Sequence, residues 1–211
     1  MKKVFTVLLL SLALLVYAGV PQADASLINF KDASWSGAYG QNTFTVGSAS
    51  WGFDVTVTAN PGASLYWDAQ DGLGIRGGEP DEVDRAERMT VSFSQSVSLL
   101  DFGLTDLFTE NNYRENGFYS LDGGPTQSFL ADPSQVPGST NGVLVVSIGG
   151  TQVNGFQLWA LNPVPANQHH DFSLGNLNAS AGGNATPEPA SLVLLASALG
   201  AGLYWRRRRS A

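Results

Sequence analysis

From Ser50 to Thr58 the apolar residues Trp51, Phe53, Val55 and Val57 alternate with small or polar ones, the period of two expected of a half-buried strand. Met89 to Leu99 repeats it, with Met89, Val91, Phe93, Val97 and Leu99 on one face and Thr90, Ser92, Ser94, Ser96 and Ser98 on the other. The central Gln95-Ser96 predicts a break into two strands. Further strand candidates are Thr43–Val46, Asp101–Phe108, Gly117–Leu121, Val143–Ile148 and Gly155–Leu161. Turn-forming clusters such as Asp122-Gly123-Gly124-Pro125 and Asn141-Gly142 separate them. No long amphipathic helix intervenes, which argues against βαβ units. The pattern predicts an all-β domain over residues 26–175, an antiparallel β-sandwich of jelly-roll type. In such a fold each sheet covers the other's apolar face and the Ser/Thr faces meet water.

Both ends depart from this pattern. Lys2 and Lys3 precede a seventeen-residue apolar stretch from Val4 to Val20, and Ala23-Asp24-Ala25 supplies small residues at the spacing signal peptidase reads. Residues 1–25 read as a secretory signal cut after Ala25. Toward the other end, Ala190 to Trp205 is sixteen uncharged, mostly apolar residues followed by Arg206, Arg207, Arg208 and Arg209. As a helix it covers ~24 Å of the ~30 Å hydrocarbon layer, with Tyr204 and Trp205 suited to the interface. The arginines act as a stop-transfer cluster and place the C-terminus in the cytoplasm. The Asn/Ala/Gly/Ser-rich residues 176–186 read as a flexible linker.

Ahead of that span stands Thr186-Pro187-Glu188-Pro189, which the two prolines hold extended and accessible. Pro187, Glu188 and Pro189, then an apolar helix, then a terminal arginine cluster: this order over residues 187–211 resembles the PEP-CTERM sorting signal of Gram-negative bacteria. The resemblance implies that exosortase, a membrane enzyme, recognises the tripeptide and cuts near it. It implies further that the protein passes from an inner-membrane-anchored form, its domain in the periplasm, to the cell surface or the extracellular polymer matrix. It also implies that this chain is a substrate of that enzyme.

Composition narrows the chemistry. With no cysteine among 211 residues, a disulfide framework, a zinc ribbon and thiol catalysis are excluded. Between Ser26 and Pro187 five cations face sixteen acids, a formal charge of −11 that repels phosphate backbones and excludes nucleic acid as a partner. No G-x-S-x-G, H-E-x-x-H or P-loop pattern occurs, and His169-His170-Asp171 is the sole histidine cluster. Adjacent histidines on a strand point to opposite faces, which makes joint metal ligation awkward.

Two constellations remain. Asp71, Glu79, Asp81, Asp84 and Glu87 lie in a glycine-rich stretch; they read either as oxygen ligands of a structural Ca²⁺ or as a solvated acidic loop neutralised by Arg76, Arg85 and Arg88. Trp35, Tyr66 and Trp67 fall near loops, where sugar rings could stack on them. The expectation is an exported, non-enzymatic surface or matrix protein without a required cofactor. A glycan-binding module is the alternative, and a polysaccharide-acting enzyme, whose paired carboxylates would meet only in the fold, a further one.

Overall fold

A computed structural model describes residues 24–77, 82–84, 87–110, 113–160 and 169–182, all within one compact unit, Ala23–Gly182. The apolar stretch 4–20, Ala23, the linker from 183 onward and the sorting segment 187–211 lie outside the described residues. No helix among the described residues is long and apolar enough to cross a membrane.

Alternation builds the strands as expected. In β3 (Phe53–Ala59) Phe53, Val55, Val57 and Ala59 are buried while Asp54, Thr56 and Thr58 turn outward. Its neighbour β2 (Thr43–Ser48) pairs along its whole length, with Thr43 bonded to Thr58 and Thr45 to Thr56 through their hydroxyls. The two strands expected around Gln95-Ser96 are one, β6 (Arg88–Thr105), which also absorbs most of the candidate at 101–108. The polar pair does not end the strand, because its backbone stays satisfied: Ser96 O accepts from Gly182 N and the Gln95 side-chain amide donates to Gly52 O. Its effect is a register shift, Ser92 facing Gly155 but Val97 facing Val153. Likewise the candidates at 143–148 and 155–161 fuse into β11 (Leu144–Ala160), with a second shift between Ser147 and Thr151 where Gly149 and Gly150 take positive φ.

All pairings are antiparallel. The first half of β6 lies between β3 and the second half of β11, which continues to β9 (Asn116–Leu121) and β10 (Gln127–Leu130). The second half of β6 lies between the first half of β11 and β12 (Ser173–Ala181); β12 pairs on its other side with β1 (Ser26–Asn29) and with β5 (Gly72–Arg76), which continues to β4 (Ser64–Asp68). Instead of two sheets joined by loops, one hydrogen-bonded sheet of ten strands bends over itself. This pairing does not establish the expected jelly-roll winding. A separate two-stranded ribbon, β7 (Thr109–Glu110) with β8 (Tyr113–Arg114), stands between β6 and β9.

Aromatic rings fill the fold of the bend. Phe102, from the second half of β6, stacks on Phe156 at 5.2 Å and meets Tyr119 edge-on at 5.4 Å, both from the other half. Phe156 also touches Phe93, which touches Phe53. Each fully buried side chain of this kind stabilises by ~1.5–3 kcal/mol before entropy.

The linker assignment is corrected over 176–181. These residues belong to β12, deep in the sheet, with Leu177 opposite Phe102 and Ala179 opposite Leu99. Leu177 and Ala179 are buried, and Asn178 turns out to donate to the Asp101 carboxylate at 2.7 Å. Small residues and asparagines, read as flexible, here serve close packing and cross-strand bonding. The hairpin β4–β5 was also hidden, inside the acidic glycine-rich stretch. Asp68 closes its turn by accepting from the Gln70 and Asp71 amides, and Gly72 must be glycine, since a Cβ there would lie 2.4 Å from Leu174 O.

Truncating Phe102 to Ala is expected to cost ~3–5 kcal/mol of stability, whereas Leu27→Ala, on an exposed side chain, is expected to stay within ~0.5 kcal/mol. Urea unfolding midpoints of the two variants check the difference.

Candidate functional site

The three aromatic residues expected to meet sugars part company. Trp35 is 0% exposed, carried inward by a 3₁₀ turn (Ala33–Ala38) and packed on Phe30 at 4.6 Å and Phe44 at 6.2 Å. It offers no ring face to a ligand, so its assignment as a binding residue is corrected to a core role. Tyr66 and Trp67 are neighbours on β4 and therefore face opposite sides. Trp67 is tied to the interior, its Nε1–H donating to Phe30 O at 2.8 Å. Tyr66 instead meets Tyr39 edge-on at 5.3 Å, and the Arg76 guanidinium lies 5.0 Å from the Tyr39 ring centre. Tyr39 is 49% exposed, so Tyr39, Tyr66 and Arg76 form an accessible aromatic patch beside β4.

A second aromatic group, unanticipated from the sequence, spans the outer face. Cross-strand register sets Trp159 between Arg88 of β6 and Phe118 of β9. The guanidinium stands 4.6 Å from the indole and Phe118 stacks at 5.9 Å. With a partner on either side, the indole is held as a sheet-stabilising row and is less available to a sugar than Tyr39.

The acidic stretch does not gather into a metal cage among the described residues. Glu79 and Asp81 lie outside them, and no three His, Cys, Asp or Glu side chains within them converge on a point that could hold a metal. Asp84 and Glu87 are buried, and Glu87 folds back to accept from the Asp84 amide at 3.0 Å. Asp71 uses its backbone carbonyl to accept from the Thr105 hydroxyl.

The most perturbed chemistry lies elsewhere, where β8 meets β9. Glu115 is 3% exposed, its carboxylate accepting from the Phe108 amide and its carbonyl from the Ala131 amide. His169-His170-Asp171 is not on a strand but just ahead of β12, so the opposite-faces argument does not apply to it. His170 and Asp171 are both buried. His170 Nδ1 accepts from the Asn116 amide at 3.1 Å, and the Tyr113 ring meets the imidazole edge-on at 5.6 Å. Tyr113 Oη accepts from the His169 amide and donates to Glu110.

Burial raises the Glu115 carboxyl to about 9, and the negative charges of Asp171, Glu110 and Asp106 push the same way against the Phe108 amide. Burial also lowers His170, assisted by His169. At neutral pH Glu115 is therefore protonated and His170 neutral. A carboxyl raised this far is what a general acid needs, but at 3% exposure this one has little contact with solvent. Sequence reasoning passed over Glu115, yet a signal was present: Glu115, Gly117 and Tyr119 share one period-two phase, and all three are buried.

Comparison with known proteins bears on the other end of the chain. The PEP-CTERM protein-sorting motif matches residues 185–209, so the chain carries that motif, which marks export and membrane-associated sorting by exosortase. Neither a curated protein nor a solved structure matches the chain.

The raised carboxyl of Glu115 makes stability depend on pH. Its folded value of about 9 exceeds the ordinary 4.5, so its contribution is complete below about 4.5 and is lost as pH rises through about 9. Glu115→Gln, which keeps the shape and fixes the uncharged state, is expected to flatten the fall in unfolding free energy between those limits. Urea titrations at a series of pH values on both proteins measure it.

Proposed function

We propose that this protein is an exported, non-enzymatic component of the cell surface or extracellular matrix, delivered by a signal peptide over residues 1–25 and sorted through its C-terminal segment. Signal peptidase removes the leader next to Ala23 and Ala25. Ala190–Trp205 then holds the chain in the inner membrane, with Arg206–Arg209 on the cytoplasmic side and the β domain in the periplasm. Exosortase reads Pro187, Glu188 and Pro189 and releases the domain outward. The observation that carries this reading is the motif match over 185–209. A cysteine-free domain also suits it, since such a domain needs no disulfide chemistry after export.

A second reading gives the domain a glycan ligand of the polymer matrix. What favours it is the exposed Tyr39 ring, paired with Tyr66 and flanked by Arg76. Such a group offers an apolar face with hydrogen-bond donors beside it.

Replacing Pro187, Glu188 and Pro189 together by Ala is expected to leave an uncut, membrane-held form in fractionated cells of the producing bacterium. Normal release of that variant would refute the sorting assignment. For the glycan reading, Tyr66→Ala is expected to weaken retention of the protein on a matching polysaccharide about two- to tenfold, the range set by one aromatic contact. Equal retention of variant and parent, measured by affinity electrophoresis, would remove this patch from consideration.

A further inference from the structure

Asparagine stands directly before glycine at Asn116-Gly117, Asn141-Gly142 and Asn154-Gly155. Such a pair is chemically labile. Glycine has no Cβ to keep its backbone nitrogen away from the preceding side-chain amide, and asparagine is among the thermolabile residues. Whether that nitrogen attacks depends on what else holds it, and the fold treats the three pairs differently.

Asn116-Gly117 lies inside β9, in register with Leu130 and Phe129 of β10, and Gly117 also faces Ala160 of β11. The Asn116 amide donates to His170 Nδ1, and a Cβ at Gly117 would lie 2.5 Å from the Phe129 ring, so neither residue turns freely. At Asn154-Gly155 the attacking nitrogen is occupied, because the Asn154 and Gly155 amides both donate to the Asp122 carboxylate at 2.9 Å. A charged acceptor holds such an N–H firmly.

Asn141-Gly142 is tied only through its carbonyls. Asn141 O accepts from the Asp106 amide at 3.3 Å and Gly142 O from the Leu107 amide at 2.9 Å. The pair belongs to no strand, and Asn141 is exposed. Among the described residues the Gly142 amide donates to no acceptor and the Asn141 side chain makes no hydrogen bond. Glycine is also required at 142, where φ is +58° and a Cβ would lie 2.5 Å from Leu107 N. The fold thus demands the residue that makes its neighbour labile.

We infer that Asn141 is a site of spontaneous covalent modification, at which the folded chain converts its own asparagine to aspartyl and isoaspartyl residues without an enzyme.

Water is the only co-reactant. Gly142 N gives up its proton and bonds to Asn141 Cγ. The Cγ–Nδ2 bond breaks, and Nδ2 leaves as ammonia, taking up that proton. Water then opens the cyclic imide at either carbonyl, leaving an aspartyl residue or an isoaspartyl one whose side-chain methylene has moved into the main chain. Either product adds a negative charge on the residue that receives the Asp106 amide. The isoaspartyl form also shifts Gly142 O away from the Leu107 amide, loosening the step from β6 into the β7–β8 ribbon.

The full chain in mild detergent is held in mildly alkaline buffer, folded and, in parallel, unfolded in urea. Samples taken over time are digested with pepsin in acid, which halts the reaction, and the peptides are separated and weighed by mass spectrometry. In the folded protein the Asn141 peptide is expected to gain the amide-to-acid mass at least about tenfold faster than the Asn116 and Asn154 peptides, the factor that one hydrogen bond to a charged group withholds. It is also expected to split into a pair of products of equal mass. In urea the three peptides are expected to convert at similar rates, since glycine follows each asparagine. Asn141→Gln, whose longer side chain closes the ring slowly, is expected to keep the parent's thermal melt and lose the fast conversion. Conversion of Asn116 or Asn154 as fast as Asn141 in the folded protein, or an Asn141 that survives in the folded protein while it converts in urea, overturns the proposal.

Discussion

The structure depends on the pairing of β6 with β11. Each strand is long enough to serve two neighbourhoods, β6 passing from β3 to β12 and β11 gaining β9 beside β6 in its second half. Register shifts at Ser92/Val97 and Ser147/Thr151 mark the bend and let one ladder supply both layers. Without cysteine there is no covalent brace, so the bend is held by what is packed inside it, the row of ring contacts Phe93–Phe156–Phe102–Tyr119. Close approach of backbone to backbone completes it. A Cβ at Gly155 would sit 2.5 Å from Val91 O, and Asp122 secures the adjoining turn by accepting from the Asn154 and Gly155 amides.

Much of this was legible in the chain. Alternation in Phe53–Ala59 and in Met89–Leu99 names the correct inward residues, because a residue's face in a strand depends only on parity. Strand ends were less legible. Gln95-Ser96 looks like a boundary, yet its polar groups find partners in Gly52 and Gly182, which are far away in sequence. The same holds for Asn176 and Asn178, whose composition suits a linker and whose place beside Gly103 and Asp101 comes only from tertiary pairing. Trp35 was misplaced because an aromatic residue amid small polar ones gives no phase from which to read its direction. Tyr66 and Trp67 could have been separated from the start by parity alone.

Electrostatics shows a similar division between local and global information. The excess of acids is plain from composition, but not that one of them is uncharged in the fold. Glu115 lies between Arg114 and Asn116, an ordinary polar setting in one dimension. Its neighbours in space are Asp171, Glu110 and Asp106, and Arg114 is turned away to donate to the Ala131 carbonyl. Burial therefore outweighs the nearest cation in sequence, and the net charge of the folded domain is less negative than a count of residues suggests.

The position of β12 bears on how the domain is made. It is the last strand among the described residues, yet it lies within the sheet, between β6 on one side and β5 and β1 on the other. The first strand, β1, pairs with it alone, Ser26 facing Ala179. A chain threaded through a translocation channel from its N-terminus thus emerges with its first strand unmatched, and it stays unmatched until Ala181 has followed. For any chain delivered from its N-terminus, folding of this domain therefore cannot finish before its C-terminal strand is free to pair.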